Sequence, residues 1–151
     1  MQQTDSCIIR KLNAKDAPLA AVLEAECFSR PWSKNAFEQA FEDDNYYYLG
    51  MFDNEKMIGM AGIIVSFDTG EVTNVAVSKK YRRQGIAYKI IQELITCGKN
   101  AGVSIFTLEV REHNESAIAL YEKTGFEFVG KRPGFYEMPK EDAYIYTLIT
   151  D

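Results

Sequence analysis

The sequence predicts an α/β protein whose mixed sheet carries helices on both faces. Three observations lead there. Aromatic and apolar residues at 46–52 and 57–66, separated by Asp53-Asn54-Glu55-Lys56, have the pattern of a hairpin. Strand and helix patterns then alternate strand–helix–strand–helix–strand from 71 to 131. A final strand pattern occupies 143–150. Such an order places helices against both sides of one sheet.

The elements follow in chain order. Residues 7–12 read as a first strand, and Asp16 as the N-cap of a helix to about Cys27 with Leu19, Val22, Leu23 and Cys27 at helical spacing. Arg30-Pro31-Trp32-Ser33 interrupts it. Pro31 stops a helix and Ser33 caps the next, which carries Ala36, Phe37, Ala40 and Phe41 on one side. After the hairpin and a strand at 71–77, a helix is expected from about Gly85 to Asn100. Its Ile86, Ala87, Ile90, Ile91, Leu94, Ile95 and Gly98 form a stripe of period near 3.6. Ala101-Gly102 ends it, and 104–110 is a strand. Asn114 caps a short helix with Ala117, Leu120, Tyr121 and Thr124 on one face, ended by Gly125. Residues 126–131 are a strand, 132–142 a loop and 143–150 the last strand.

Composition narrows the function classes. The 151 residues suit a single domain spanning 1–151, enough to bury about 68–70% of the unfolded surface. The chain is 46% hydrophobic and 26% charged, ordinary for a globular protein. A net charge of −5 argues against general nucleic-acid binding. It is compatible with a basic protein or amine as partner, and equally with mere solubility. Cys7, Cys27 and Cys97 are odd in number and lack metal-type spacing, so they read as reduced thiols and no metal is expected. Residues 1–10 are too polar for a signal peptide, and no stretch approaches the ~18 apolar residues of a membrane span. A cytoplasmic protein without a membrane partner is expected; its oligomeric state is left open.

The chemistry-bearing segments lie in the middle. Tyr81-Arg82-Arg83-Gln84-Gly85-Ile86-Ala87-Tyr88 joins a strand to the amphipathic helix. Gly85 lets a ligand approach the backbone, the first helical turn offers unpaired N–H groups at the positive dipole end, and Arg82 and Arg83 add charge. A pyrophosphate suits that place; a basic helix start with no ligand is the plainer alternative. The segment is neither a Walker A loop nor a Rossmann fingerprint. Strand alternation puts Ile105, Thr107 and Glu109 on one face and Phe106, Leu108 and Val110 on the other. A carboxylate at the rim of a covered sheet is a candidate general base, or a strand-end charge paired with Arg111. Tyr121, on an apolar helix face, is a core residue by default, and Asn114 a plain N-cap.

Taken in order, Asn74-Val75-Ala76-Val77, Arg82-Arg83-Gln84-Gly85-Ile86-Ala87, Leu108-Glu109-Val110-Arg111, Asn114 and Ala119-Leu120-Tyr121-Glu122-Lys123-Thr124-Gly125-Phe126 resemble the signature of the GNAT superfamily of N-acetyltransferases. Pro31-Trp32-Ser33, Glu109 with Arg111 and Asn114, and Tyr136 followed by Glu141-Asp142-Ala143 are similar to the bacterial ribosomal-protein-alanine N-acetyltransferases (RimI type) and their N-terminal acetyltransferase relatives. The resemblance implies the GNAT fold, a mostly antiparallel sheet splayed at an acetyl-CoA site. It implies that Val75, Ala76 and Val77 hold the acetyl and pantetheine arm by their backbone, that Arg83, Gln84, Gly85, Ile86, Ala87 and Tyr88 carry the pyrophosphate, and that Asn114 touches coenzyme A. It makes Glu109 the proton acceptor and Tyr121 the proton donor to the leaving thiolate. The acceptor is then a protein N-terminus, a ribosomal protein with N-terminal alanine, seated between residues 28–33 and 132–142 beside Phe28, Trp32, Phe135 and Tyr136. Trp32 has an alternative as a hydrophobic staple under the second helix; His113, one residue before the Asn114 cofactor contact, either touches substrate or coenzyme or is a solvent-facing loop residue.

The physics fits those roles. An α-amine with a pKa near 8 is partly neutral at physiological pH, backbone N–H groups near Val77 can stabilise an oxyanion, and general acid–base help is worth ~10²–10⁴-fold. Ala87 stands where many relatives have glycine, and Arg82 where glutamine is common in close relatives. Two rivals remain: a GNAT enzyme for a polyamine, amino acid or aminoglycoside, and a coenzyme A-binding module without catalysis, against which the pair Glu109 and Tyr121 argues.

Overall fold

The computed structural model describes residues 7–150. Residues 1–6 of the polar N-terminal stretch and residue 151 lie outside them. The described strands are β1 Ile8–Lys11, β2 Tyr46–Asp53, β3 Lys56–Ser66, β4 Thr69–Val77, β5 Ile105–Arg111, β6 Glu127–Tyr136 and β7 Glu141–Ile149. The helices are α1 Ala17–Cys27, α2 Lys34–Glu42, α3 Ile86–Asn100 and α4 Glu115–Lys123, with 3₁₀ turns at Ala14–Asp16 and Lys79–Tyr81.

The strands make one sheet in the order β1-β2-β3-β4-β5-β7-β6. Every pairing is antiparallel except β4 with β5. The parallel pair is short: Thr69, Gly70 and Glu71 face Ile105, Phe106 and Thr107, and pairing stops there. Beyond it β4 pairs only with β3, up to Val77 with Gly59, and β5 only with β7, up to Arg111 with Ala143. The sheet is therefore split down its middle, and one edge of each strand faces the gap.

Each face has its own core. Leu12, Ala20, Leu23, Phe37, Tyr48, Phe52, Met60 and Ala76 join α1 and α2 to one face. Ile58, Ile63, Ile86, Ile90, Ile91, Leu94, Phe106, Leu108, Val110, Tyr121 and Phe126 join α3 and α4 to the other. The period-3.6 stripe of α3 is buried as its spacing predicts. Gly98 belongs to it because a Cβ there would stand 2.6 Å from the Phe106 ring, so the missing side chain sets how closely α3 lies on β5. The β2–β3 turn places Asn54 at a φ of 56°, a left-handed conformation asparagine tolerates.

Three sequence expectations change. The buried residues of α1 are Ala17, Ala20, Leu23 and Glu24, while Leu19 and Val22 are 41% and 69% exposed. Small alanines let the helix lie close to the sheet, and a bonded carboxylate occupies the stripe where Val22 was expected. Asp16 stands at the N-cap position of α1 without capping it. Asn13 instead caps the preceding turn through Lys15 N, and the Asp16 carboxylate accepts from Asn13 N at 2.9 Å and from both Arg10 terminal nitrogens at 2.9 and 2.8 Å. Residues 132–142 are not a loop: β6 runs on to Tyr136 and β7 starts at Glu141, leaving a tight turn. Pro133 does not break β6 because that strand is at the edge of the sheet, where a missing N–H costs no ladder bond.

Candidate active site

The split between β4 and β5 organises the site. At its β4 side, Ala76 is buried against α1 and α2, and Val75 and Val77 pack toward the opposite core. The Val77 carbonyl accepts from the Cys27 thiol at 3.4 Å and from Arg82 Nε at 3.2 Å. Arg82 is thus tied to the end of β4 rather than being a free surface charge.

Next comes the head of α3. Arg83 has a φ of 64° and Gly85 a φ of 76°. Gly85 is the N-cap, with no side chain satisfying the first turn. The helical ladder begins with Lys89 N donating to Gly85 O at 3.1 Å, so the amides of Ile86, Ala87 and Tyr88 have no partner within the helix. Nothing lies within 4 Å of a Cβ built on Gly85. This open, positively polarised cradle of bare amides fits a phosphate group. Gln84 adds a buried side-chain oxygen with no hydrogen-bond partner, and the ring of Tyr88 lies under the Lys123 ammonium at 4.5 Å.

On β5, Phe106, Leu108 and Val110 are buried and Glu109 faces the other way, as alternation predicts. Its Oε2 is buried without a hydrogen bond. The cation near it is Arg132 Nε at 3.8 Å. Arg111, expected as an alternative partner, goes elsewhere: it donates to the Pro139 and Glu137 carbonyls at 2.9 and 3.1 Å and to Glu141 at 3.1 Å. Arg111 therefore holds the β6–β7 turn, and its guanidinium lies 4.4 Å from the centroid of the Tyr136 ring.

Tyr121 is 8% exposed, edge-on to Phe126, and its hydroxyl has no hydrogen-bond partner among the described residues. Burial, with a smaller effect of Tyr136, pushes it up to about 12. Tyr136 is also raised, by burial first and then by the Glu109 charge. Tyr136 hence lies within electrostatic reach of both Glu109 and Tyr121. Asn114 caps α4 by accepting from Ala117 N at 3.2 Å. His113 is exposed but not unattached: its Nδ1 lies 2.9 Å from Glu141 Oε2, which also accepts from His113 N at 2.8 Å. That backbone bond, ahead of Arg111, holds the Glu141 carboxyl below its ordinary range.

The α1–α2 loop forms the facing wall. Phe28 is exposed at the end of α1. Trp32 is half-buried, its ring 5.4 Å from Phe37 and 6.4 Å from Tyr48, which is the staple-like packing. Arg30 Nη2 meets Met138 Sδ at 2.7 Å, so this wall touches the β6–β7 turn. Beneath it lies a group that sequence reasoning did not single out. Glu24, 2% exposed, accepts from Trp32 N at 3.2 Å and Asn74 Nδ2 at 2.9 Å through one oxygen, while the other has no partner. Burial raises its pKa. Asn74 in turn accepts from the Tyr48 hydroxyl at 2.6 Å. Nothing local in the sequence marks Glu24, because it is buried by residues 8 and 50 positions away.

Comparison with known proteins agrees with this geometry. The model of the Acetyltransferase (GNAT) family matches residues 17–126. The [ribosomal protein bS18]-alanine N-acetyltransferase of Escherichia coli is 34% identical over 142 residues, covering 93% of this chain and 95% of that protein. An uncharacterized protein of Mycobacterium leprae is 35% identical over 144 residues, 91% of this chain, which spans 39% of that longer protein. Among solved structures, the ribosomal-protein-S18-alanine N-acetyltransferase from Escherichia coli superposes with a TM-score of 0.88 at 33% identity, over 96% of this chain and 95% of that one.

Proposed function

Since the chain belongs to the GNAT acetyltransferase family and is an acetyl-CoA-dependent N-acetyltransferase, we propose that its acceptor is the α-amino group at a protein N-terminus, that of a ribosomal protein beginning with alanine. The observation that carries the mechanism is the buried, unbonded Glu109 oxygen beside the gap where β4–β5 pairing stops. Acetyl-CoA supplies the thioester whose carbonyl carbon the amine attacks. The chain's own residues do the rest. The amides of Ile86, Ala87 and Tyr88 bind the diphosphate, and Asn114 contacts the same cosubstrate. The free edge of Val75, Ala76 and Val77 takes the pantetheine arm, and a β4 amide near Val77 donates to the carbonyl oxygen as charge develops there.

The neutral fraction of the α-amine attacks. Glu109, directly or through a water, accepts the proton its nitrogen sheds as the carbon–nitrogen bond forms, and the thiolate leaves as the carbon–sulfur bond breaks. Tyr121 keeps its proton across the working range and donates a hydrogen bond to sulfur as the carbon–sulfur bond breaks. Full transfer from a phenol near 12 to an ordinary thiolate of pKa about 8.5 runs uphill, so its role is hydrogen-bond stabilisation of the departing group. Phe28, Trp32 and Tyr136 flank the peptide. The similarity to the alanine N-acetyltransferases supports the peptide acceptor over a small amine.

The test is thiol release from acetyl-CoA with peptides beginning Ala or Ser, set against polyamines, amino acids and aminoglycosides. Turnover of Ala-starting peptides, with kcat for E109Q lowered about 10²-fold or more, is the expected result. Turnover of small amines alone overturns the peptide acceptor, and full activity in E109Q overturns its role as base.

A further inference from the structure

A cavity of about 330 Å³ outside the β4–β5 gap is lined by Trp32, Ala36, Gln39, Ala40, Asp43 and Tyr46. Ala36, Gln39 and Ala40 follow one another along one face of α2, Asp43 caps its C-terminal end, and the two alanines leave a floor open between the Trp32 and Tyr46 rings. Those rings are held in place. Trp32 is fixed by its backbone bond to Glu24 and by ring contact with Tyr48, and Tyr46 stacks on the same Tyr48 ring at 6.3 Å. The Tyr48 hydroxyl donates to Asn74 of β4. One tyrosine therefore backs both aromatic walls of the cavity and bonds to the strand expected to hold the acetyl group.

The charge of the cavity selects its occupant. Asp43 sits at the C-terminal end of α2, whose last turn has no basic residue. Its carboxylate accepts Asn45 N at 2.8 Å and enters no ion pair among the described residues. A negative charge at the negative end of a helix dipole is unfavourable until a cation joins it. Two aromatic faces beside an unneutralised carboxylate form a receptor for an ammonium or guanidinium group. An apolar side chain would strip water from Asp43 without return, and an acidic one would be repelled.

The geometry points to this cavity as a specificity pocket for a lysine or arginine side chain of the acceptor, a few residues behind the acetylated N-terminus. It rests on the peptide-acceptor reading above. The test uses Ala-starting peptides in which arginine, norleucine or glutamate is placed in turn at positions two, three and four. At one position the arginine peptide exceeds its norleucine counterpart in kcat/KM by about five- to tenfold, with glutamate lowest, the size expected of a partly exposed cation–π and ion pair. In D43N, which keeps an oxygen for Asn45 N, the arginine-to-norleucine ratio falls to about one, and in D43K it inverts in favour of glutamate. Equal rates for arginine and norleucine at all positions, or a preference that survives in D43N, overturns the pocket while leaving the peptide acceptor standing. No turnover of any peptide overturns the peptide-acceptor reading, and this inference with it.

Discussion

Replacing Glu24 by alanine tests whether the wall of the site is built on a buried carboxylate. Both of its donors, Trp32 N and Asn74 Nδ2, use the same oxygen. E24A leaves the buried Asn74 amide and the partly buried Trp32 N–H without an acceptor, at about 1–3 kcal/mol for the first and less for the second, so the expected loss is about 2–4 kcal/mol. That is a large part of the about 5–15 kcal/mol that holds a domain together. E24Q keeps an oxygen for both donors and puts its NH₂ where the carboxylate has an unbonded oxygen, so it recovers more than half of that loss. The pH dependence has a definite sign. Burial raises the Glu24 pKa above its unfolded value, so the stability it contributes is full below about pH 4.3 and declines as pH rises through the elevated folded value. E24Q carries no such penalty and gains on the wild type as pH rises above the ordinary glutamate range. Urea unfolding followed by tryptophan fluorescence is the assay, because the chain's single tryptophan is Trp32 itself. A loss below about 1 kcal/mol in E24A, or E24Q as unstable as E24A at every pH, refutes the reasoning.

Two further substitutions separate chemistry from folding. Y121F lowers kcat by about 10²-fold while leaving unfolding free energy within about 0.5 kcal/mol, because the hydroxyl has no partner to lose; a stability loss without a rate loss contradicts its role beside the sulfur. G85A forces a side chain into a φ of 76° and costs about 1–2 kcal/mol although the space is open; calorimetry should show weaker acetyl-CoA binding, and unaltered affinity removes the cradle from the site.

Much of the fold was legible because its signals are local. The α3 stripe, the Ser33 and Asn114 caps, the hairpin turn at Asn54 and the alternation around Glu109 each span a few residues, and periodicity or cap chemistry fixes them without knowledge of neighbours. The ordered motifs from Asn74 to Phe126 carried the family resemblance for the same reason. What failed was partner choice. Arg111 is two positions from Glu109 yet serves the β6–β7 turn, while Arg132 takes the place beside Glu109. Residues 132–142 look like a loop because Pro133 and Pro139 interrupt the strand pattern, and only the edge position of β6 makes Pro133 acceptable.

The sequence by itself thus determined most of the elements, their order, and the residue types that can bind a diphosphate and move a proton. The tertiary structure alone decided that β4 and β5 part after three residue pairs, that Glu24 is entombed under the α1–α2 loop, and that Tyr136 stands in electrostatic reach of both Glu109 and Tyr121. Each of these depends on contacts between segments tens of residues apart, where sheet order and helix seating set the distances and no local pattern can.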